Sequence, residues 1–554
     1  MKYLKWILGA SRPYSLPLAA VSLSHVLLAC CSVGFVYVSR MLVDTASAVS
    51  SGRPVVHGLM FWAFAMAAVI LLRIFLTALR NYLSARTELR MRNALRGRLF
   101  DIFLHAQAEG QEIPHSGDIV NRLQDDVRNV SGALALSLPG LFGILLQFIA
   151  AFGFLLYLDV RLALVIVAVV PAGAVAGKLV TGRMRNLTHS IRSSESRVQS
   201  YLQESVRNVP LIQSMEYVPD SCGALENLQG ELYGSEMRRT RLGTVSRVLV
   251  SAAFSAGHAA AFLWGVYGIS TGSVTYGMMT AFLQLAGQIQ RPVVEFGSRV
   301  PALVNSLASI DRIMMIESLP VESVASPVFV GGVAGVRLKD VTFSYPGSGK
   351  FVFSGFSYDF RPGSRTAVAG PTGVGKSTLV RLLLSFLSPC RGSLEIYNSD
   401  VTVPLSAETR CNLVYVPQGN SLFSGTIRDN LLMGNPSASD EQMEEALRLA
   451  AADFVFGLPA GLGTQCRESG AGLSEGQAQR IAIARALLRP GSVLLFDEFS
   501  SALDPQTEEV LLERLTAGLP AHTMIFITHR EKVIEYCDNV LVLNDGAMKD
   551  YGFR

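Results

Sequence analysis

The sequence predicts a membrane α-helical domain of six transmembrane helices with long intracellular extensions, followed by an α/β phosphate-loop NTPase domain. Two observations predict this fold class. Long apolar stretches recur through the first part of the chain, and residues 370–377 read GPTGVGKS, which fits the pattern G-x-x-x-x-G-K-[ST]. The composition agrees, because half of the residues are hydrophobic, 17% are charged and the mean hydropathy is +0.35. Such values are too apolar for an ordinary soluble protein.

Six apolar segments are long enough to cross a bilayer as helices. Short polar links join them in pairs, and much longer connections separate the second segment from the third and the fourth from the fifth. These connections are rich in Arg, Leu, Ala and Glu, and each has one run of helix breakers, at 113–118 and 217–220. We therefore expect the membrane helices to continue far beyond the bilayer. The predicted segments are Leu16–Val38, Leu59–Leu79, Leu138–Leu158, Leu162–Val180, Val248–Ile269 and Tyr276–Val294.

Arginines cluster in both long connections, and Lys2, Lys5 and Arg12 lie near the N-terminus. Positive charge favours the cytoplasmic side of a membrane, so we expect both chain ends and both long connections to be cytoplasmic. The first apolar segment has no obvious small-residue cleavage site, which indicates a retained helix. The sequence thus predicts a multi-pass protein of the inner, cytoplasmic membrane.

The composition of the second half limits its partners. Residues 331–554 contain 20 Lys and Arg against 24 Asp and Glu, a net charge of −4, which argues against a nucleic-acid partner. The seven cysteines are scattered and none has C-x-x-C spacing, so we expect no disulfide. The predicted domains are a transmembrane domain at 1–305, a linker at 306–335 and a nucleotide-binding domain at 336–554.

The phosphate loop has a direct chemical meaning. Its backbone N–H groups cradle phosphates, Lys376 neutralises phosphate charge, and the Ser377 hydroxyl binds Mg²⁺. The helix that we expect at 379–387 adds its dipole to these donors. The loop residues are Gly370, Pro371, Thr372, Gly373, Val374, Gly375, Lys376 and Ser377.

Further strings follow in a fixed order: LSEGQ at 473–477, an apolar strand that ends in Asp497-Glu498, and Thr528-His529 after another apolar strand. This order resembles the nucleotide-binding domain of ATP-binding-cassette (ABC) transporters. The resemblance covers the whole chain, because a membrane half and a nucleotide half in this order are typical of bacterial exporters of the multidrug and lipid type. It implies that residues 116–123 form the first intracellular segment, and that short helices in the long connections dock on the nucleotide-binding domains.

The resemblance also implies roles for single residues, with ATP and Mg²⁺ as cofactors. Tyr345, at the end of a predicted edge strand, would stack on adenine, and Thr378 would contact phosphate. Asp497 would hold Mg²⁺, and Glu498 is placed to act as general base on the attacking water. The string YVPQ at 415–418 resembles the Q-loop, so Gln418 would contact Mg²⁺ and the attacking water, and His529 would contact the γ-phosphate and orient Glu498. The predicted catalytic residues are therefore Glu498, His529 and Gln418, and the predicted metal ligands are Ser377, Gln418 and Asp497.

The signature string implies a second chain. By resemblance, Leu473, Ser474, Gly476 and Gln477 lie at the start of a helix, expected at 478–488, and face the ATP bound by a partner. The common family form has Gly where this chain has Glu475. Asp504 ends the string SALD at 501–504, which matches the D-loop of the dimer interface, and Glu468 fits the loop that contacts the intracellular helices in exporters. The partner is a second copy of the chain or a related half-transporter.

The transported molecule is less well defined by the sequence. Arg73 in the second segment and Arg291 in the sixth resemble positions where the bacterial lipid A flippase presents basic residues to lipid phosphates; alternatively, both arginines snorkel or pair near the cytoplasmic face. Gln284, Gln288 and Gln290 line a cavity or bond between helices, and His25 and His258 are interpreted as packing residues. The expected partners are membrane lipid and a lipid or small-molecule substrate.

The leading functional hypothesis is an ATP-driven exporter or flippase of a lipid or amphipathic small molecule, which works as a dimer by alternating access. An importer of a metal chelate on the same scaffold is an alternative, and so is one half of a heterodimer. A regulatory protein that gates without pumping is a third class, although Glu498 and His529 favour hydrolysis.

Overall fold

A computed structural model describes residues 2–50, 56–106, 116–322, 326–466, 472–544 and 547–551. Within these ranges, some side chains lie outside the described part, including those of 167–182 and of Arg291. The chain forms two compact units. The first contains Met1–Asp101 and Ser116–Glu317, and the second contains Ile102–His115 and Ser318–Arg554.

The described residues of the first unit form helices joined by short turns. Two π-helical turns, Arg122–Asp126 and Ala133–Ser137, interrupt one of its long helices. The α-helices are α1 (Lys2–Ser11), α2 (Ser15–Ser50), α3 (Val56–Leu104), α4 (Ser116–Asn121), α5 (Val127–Gly132), α6 (Leu138–Leu158), α7 (Val160–Arg207), α8 (Val209–Ser214), α9 (Val218–Ser270) and α10 (Tyr276–Glu317).

The expected helical extensions are confirmed by the lengths of these helices. Helix α3 has 49 residues and α9 has 53, whereas about 20 residues suffice to cross the hydrocarbon core. Among the described residues, four helical stretches are long and apolar enough to span a membrane: Lys2–Ala48, His57–Leu104, Asp118–Leu158 and Val218–Ser270. The fourth and sixth predicted segments both include side chains outside the described part.

The second long connection breaks at two places. The predicted break is present as the turn before α9, where Glu216 has φ +55°. A break that the sequence analysis missed lies at Asn208, between α7 and α8. Its cause is Pro210, which has no N–H to continue the α7 hydrogen bonds and is tolerated in the first turn of the new helix α8. The first predicted break falls mostly on residues 107–115, outside the described residues.

Three glutamines of α10 settle an alternative that the sequence left open, because they bond between helices. Ser32 donates to Gln288 at 2.8 Å, and Gln284 donates to Ser39 at 2.9 Å. The third, Gln290, is almost fully buried and donates to a backbone carbonyl of α9 at 3.2 Å. These polar pairs join α2 and α9 to α10.

The second unit contains two main sheets. A six-stranded sheet has the order β12-β11-β3-β10-β9-β6 and is parallel except for β12, and an antiparallel sheet has the order β2-β1-β4-β5. The strands are β1 (Gly335–Phe343), β2 (Phe353–Phe360), β3 (Arg365–Ala369), β4 (Arg391–Tyr397), β5 (Thr402–Pro404), β6 (Leu413–Val416), β7 (Gly425–Thr426), β8 (Gln465–Cys466), β9 (Val493–Asp497), β10 (Thr523–Ile527), β11 (Asn539–Asn544) and β12 (Ala547–Tyr551). The helices are α11 (Lys376–Leu383), α12 (Ile427–Leu432), α13 (Asp440–Leu449), α14 (Glu475–Leu487), α15 (Pro505–Gly518) and α16 (Glu531–Glu535).

Three local predictions need correction. The predicted edge strand before Tyr345 is β1, which pairs with both β2 and β4 and is therefore internal. Its alternating pattern fixes which face is buried, and does not fix the number of neighbouring strands. Helices α11 and α14 each begin three residues earlier than expected. For α14 the reason is a capping box formed by Ser474 and Gln477.

All seven cysteines have free thiols. One of the most buried polar groups of the second unit is Asn412, which is 3% exposed. Its amide nitrogen donates to the carbonyls of Val328 and Thr409 at 2.8 Å, and its oxygen accepts from the Val330 N–H at 2.8 Å. Asn412 therefore joins the segment that precedes β1 to the start of β6.

We predict that Asn412→Leu destabilises the second unit, because it leaves these backbone groups buried without partners. Each unpaired group costs about 1–3 kcal/mol. The measurement is thermal unfolding of the purified full-length protein. The control is Asn544→Leu at an exposed strand end, where a surface exchange changes stability by about 0.5 kcal/mol or less. Equal shifts of Tm in the two variants would contradict the role of Asn412.

Candidate functional site

The candidate site lies at the carboxyl ends of the parallel strands. Strand β3 leads into the phosphate loop, β9 ends at Asp497, β10 leads to His529, and β6 leads to Gln418. These four strands are neighbours in the sheet. Because parallel strands end at a common edge, side chains that are far apart in sequence meet there.

The phosphate loop depends on its glycines. Gly370, Gly373 and Gly375 have φ values of +152°, +88° and +109°, which residues with a Cβ rarely adopt. A Cβ at Gly370 would lie 2.5 Å from the carbonyl oxygen of Leu543, and one at Gly375 would lie 2.6 Å from Val352. The chain then enters α11, so the first N–H groups of this helix face the loop. The predicted loop residues Pro371, Thr372 and Val374 lie between the glycines, and Ser377 is exposed in the first turn of α11.

Lys376 is the buried cation of this site. Its ammonium donates to the Gly370 carbonyl at 2.6 Å and lies 2.6 Å from Nε2 of His529. Because a lysine can only donate, this contact requires a neutral imidazole that carries its proton on Nδ1. Burial lowers the pKa of Lys376, while the nearby Glu498 and Asp497 carboxylates act in the opposite direction. The structure therefore brings Lys376 and His529 together.

Glu498 has a left-handed backbone, with φ +45°. Its N–H donates to the Ile527 carbonyl at 3.0 Å, so the strand beside it fixes this conformation. One carboxylate oxygen accepts a short hydrogen bond from the Gln418 amide, and the other lies 3.8 Å from Nε2 of His529. The three predicted catalytic residues thus converge, and the strain at Glu498 is of the kind found at functional sites.

Asp497, like its neighbour Glu498, is half-buried. Burial, followed by the charge of Glu498, raises the pKa of Asp497. The Tyr415 hydroxyl donates to its carboxylate at 3.4 Å, and burial raises the pKa of Tyr415 to about 12. The sequence analysis did not identify Tyr415, although this residue lies two positions before Pro417 and close to Gln418 in the sequence.

The predicted adenine-stacking residue lies two residues beyond β1. The Tyr345 hydroxyl is 3.1 Å from the Thr378 hydroxyl, and its ring packs edge-on against Phe343 with centroids 5.1 Å apart. Two residues assigned separately from the sequence, Tyr345 and Thr378, are therefore in contact.

The signature string and the D-loop form a second cluster. Ser474 caps α14, with Leu473 just before it and Glu475 exposed in the first turn, where a carboxylate complements the helix dipole. A Cβ at Gly476 would lie 2.7 Å from the Ala502 carbonyl oxygen, so the signature helix touches the D-loop directly. Gln477 completes the cap of α14, and Asp504 caps α15 by accepting from the N–H of Thr507 at 3.0 Å. Glu468 lies outside the described residues.

The membrane candidates are placed only in part. Arg73 is exposed on α3, and the side chain of Arg291 lies outside the described residues. The structure shows another basic group that the sequence analysis missed. Arg299 packs against Gly140 of α6, and His25 packs against Gly143 of the same helix. A Cβ at either glycine would overlap the side chain that faces it. His25 thus packs between helices, as predicted, because glycine leaves the room.

We predict that Asp497→Asn raises Tm at pH 7 when the protein is measured without nucleotide. A carboxyl whose folded pKa is raised contributes most to stability in acid, and that contribution is lost as pH rises through the folded pKa. The gain from asparagine should therefore shrink as pH falls toward 3.8, the ordinary pKa of Asp.

The opposite control is Asp504→Asn. Hydrogen bonding from Thr507 lowers the pKa of Asp504, so its carboxylate stabilises the fold at neutral pH and that contribution is lost in acid. This variant should lower Tm at pH 7. A lower Tm for Asp497→Asn at pH 7 would contradict the assigned electrostatics.

Comparison with known proteins agrees with this geometry. The transmembrane region of ABC transporters matches residues 18–293, and the ABC transporter domain matches residues 353–501. The ABC multidrug transporter mdr2 of Aspergillus fumigatus is 30% identical over 471 residues, which are 83% of this chain and 58% of that protein. The leukotoxin translocation ATP-binding protein LktB of Mannheimia haemolytica is 28% identical over 492 residues, 88% of this chain and 69% of that one.

A solved structure of a bacterial Atm1-family ABC exporter with ATP bound has the same fold, with a TM-score of 0.80. It is 23% identical, and the match covers 97% of this chain and 95% of that chain. The chain belongs to the ABC transporter family: it is a multi-pass membrane protein whose nucleotide-binding domain binds ATP and hydrolyses it to drive transport.

Proposed function

We propose that this protein exports a lipid or an amphipathic small molecule and works as a dimer of two copies. One observation carries the proposal: Lys376, Gln418, Glu498 and His529 converge at one sheet edge of a chain that also carries long membrane helices. A catalytic set this complete in one chain favours a homodimer, since neither copy needs residues from a different half-transporter.

Each residue of the set has a distinct task in the proposed reaction. The phosphate loop and Lys376 bind and neutralise the β- and γ-phosphates. Glu498 removes a proton from the attacking water, and the Gln418 amide orients the carboxylate. His529 contacts the γ-phosphate by donating an N–H, because phosphate oxygens only accept hydrogen bonds. Positioning and charge stabilisation, rather than covalent catalysis, account for the chemistry of such sites.

The residues also fit Mg²⁺. The Ser377 hydroxyl, the Asp497 carboxylate and the Gln418 amide oxygen are the hard oxygen ligands that Mg²⁺ prefers. The raised pKa of Asp497 shows that burying its charge is costly, and a divalent cation would offset that cost. We propose these three as the Mg²⁺ ligands and expect the ion to neutralise phosphate charge.

The dimer follows from the two clusters of the site. The phosphate-loop cluster binds one ATP, and the exposed signature cap at Ser474 faces outward from the same unit. Two chains arranged head-to-tail complete two sites. ATP would then close the nucleotide-binding domains, and hydrolysis would reset them, which is the alternating-access cycle.

Export is favoured because relatives of the chain are named as multidrug and leukotoxin transporters. We place the protein in the inner membrane with both termini in the cytoplasm, since Arg is concentrated in the long connections. Arg73 and Arg291 remain candidates for contact with an anionic substrate group. Transport into or out of sealed vesicles of known orientation distinguishes export from the import of a metal chelate.

We predict that the chain alone, in lipid nanodiscs, hydrolyses ATP and that Glu498→Gln lowers the rate by about 10²–10⁴-fold, the usual contribution of a general base. This variant should retain ATP, whereas Lys376→Ala should abolish binding or turnover because the phosphates lose their neutralising cation. The measurements are phosphate release and retention of labelled ATP.

The matched control is Glu509→Gln, an exposed carboxylate paired with Lys532, which should leave turnover unchanged. Normal turnover in Glu498→Gln would refute the assigned base. No turnover from the folded wild-type chain would refute the homodimer and indicate that a second, related half-transporter is required.

A further inference from the structure

The D-loop is bound by a residue to which neither the motifs nor the comparisons assign a role. The Arg530 guanidinium donates to the carbonyl of Ser501 at 3.0 Å and to the carbonyl of Leu503 at 3.3 Å. It therefore spans the loop and fixes two of its peptide units. Arg530 directly follows His529, and its own N–H donates to the Thr528 hydroxyl at 3.0 Å.

An ion pair with Glu508 also fixes the Arg530 guanidinium. Arg530 donates to Glu508 of α15 at 3.0 Å, and the Glu508 side chain is 3% exposed whereas that of Arg530 is 35% exposed. A buried carboxylate whose counter-charge is removed strongly destabilises the fold. Glu508 thus holds the guanidinium in place, and the remaining N–H groups point at the D-loop.

The opposite side of the D-loop is closed by the signature helix. Gly476 approaches the Ala502 carbonyl so closely that a Cβ would lie 2.7 Å from it. The loop at 501–504 is therefore clamped between α14 and Arg530. Its conformation is coupled to the strand end that carries His529, only one peptide unit away.

We propose that Arg530 is a positioning residue that sets the D-loop of one chain for the ATP site of the other chain. This inference rests on the proposed dimer, in which the D-loop of each copy faces the site built on the partner's phosphate loop. In this proposal Arg530 does not itself bind the nucleotide or the attacking water. It acts through the backbone of Ser501 and Leu503, and it links the γ-phosphate side of its own site to the partner's site.

Lysine is the informative substitution. It keeps a positive charge for the Glu508 carboxylate, so the fold retains its buried pair. However, an ammonium is a single point, whereas the planar guanidinium reaches two carbonyls and a carboxylate at fixed angles. Arg530→Lys should therefore release the D-loop without leaving Glu508 unpaired.

The experiment uses full-length mixed dimers, purified through two different tags and reconstituted in nanodiscs. In the reference dimer, one chain carries Glu498→Gln, so only the site on the other chain's phosphate loop hydrolyses ATP. In the first test dimer, Arg530→Lys is added to the Glu498→Gln chain, whose D-loop faces the active site. In the second test dimer, Arg530→Lys is placed on the chain with intact Glu498.

We expect the first test dimer to lose about tenfold in kcat relative to the reference, with KM for ATP nearly unchanged, since displacing a positioning group by about 1 Å costs up to 100-fold. The second test dimer should lose much less. A larger loss in the second dimer would show that Arg530 acts on its own site through His529 and would overturn the proposal. Equal losses in both would indicate general destabilisation and would also overturn it.

The matched control is Arg514→Lys, since Arg514 binds the Arg448 carbonyl at 2.7 Å and the Asp453 carboxylate, away from the D-loop. Placed in either chain, it should leave the reference rate unchanged. Full activity of both Arg530→Lys dimers would overturn the role proposed for Arg530 and leave the proposed dimer intact. A reference dimer without turnover would instead refute the two-site dimer on which the inference rests.

Discussion

The parallel pairing of β10 with β3 on one side and with β9 on the other is the constraint on which the site depends. Ile527 pairs with Val368 in β3 and with Asp497 in β9. This register brings the phosphate loop, the Asp497-Glu498 pair and His529 to one edge. All five residues of β10 are buried, so a slip in register would expose apolar side chains as well as separate the predicted catalytic groups.

Charge balance at this edge explains why the site is assembled from so many strands. Lys376 is buried enough for its pKa to be lowered, and Asp497 is buried enough for its pKa to be raised. Each shift disfavours the charged form that phosphate or metal binding requires. The Coulombic attraction between Lys376 and the carboxylates of Asp497 and Glu498 offsets part of this cost. The strained backbone of Glu498 adds a further cost of about 1–3 kcal/mol, which the surrounding structure has to supply. Binding of a triphosphate is favourable, and its free energy would compensate the rest of the cost of keeping Lys376 and Asp497 charged.

The sequence predicts the residues of the site better than it predicts their contacts. The phosphate loop, Glu498 and His529 follow from local strings, because glycine spacing and strand ends are local properties. Whether β1 lies at an edge does not follow, because strand pairing is a long-range property. Tyr415 and Arg530 were missed for the same reason, because their side-chain partners are distant in sequence and only the folded chain brings them together. Asp497 lies 82 residues from Tyr415, and the partners of Arg530 lie 22, 27 and 29 residues away. The helix break at Asn208 was predictable from Pro210 and was overlooked.

Helix α14 connects the parts of the site that sequence motifs treat as separate. Its first turn touches the D-loop at Gly476, and its next turn reaches the catalytic strand, where the Gln479 amide donates to the Glu498 carbonyl at 3.4 Å. Nearer its end, Arg485 donates to the carbonyl of Ser421 at 2.9 Å, three residues beyond Gln418. A helix packed this closely moves as one body, since interiors transmit displacement rather than absorb it. In the proposed dimer, a force on the signature cap would therefore reach Glu498, the proposed general base, and the loop of Gln418 together. This connection would give the partner's nucleotide a physical route to the proposed chemistry of this chain.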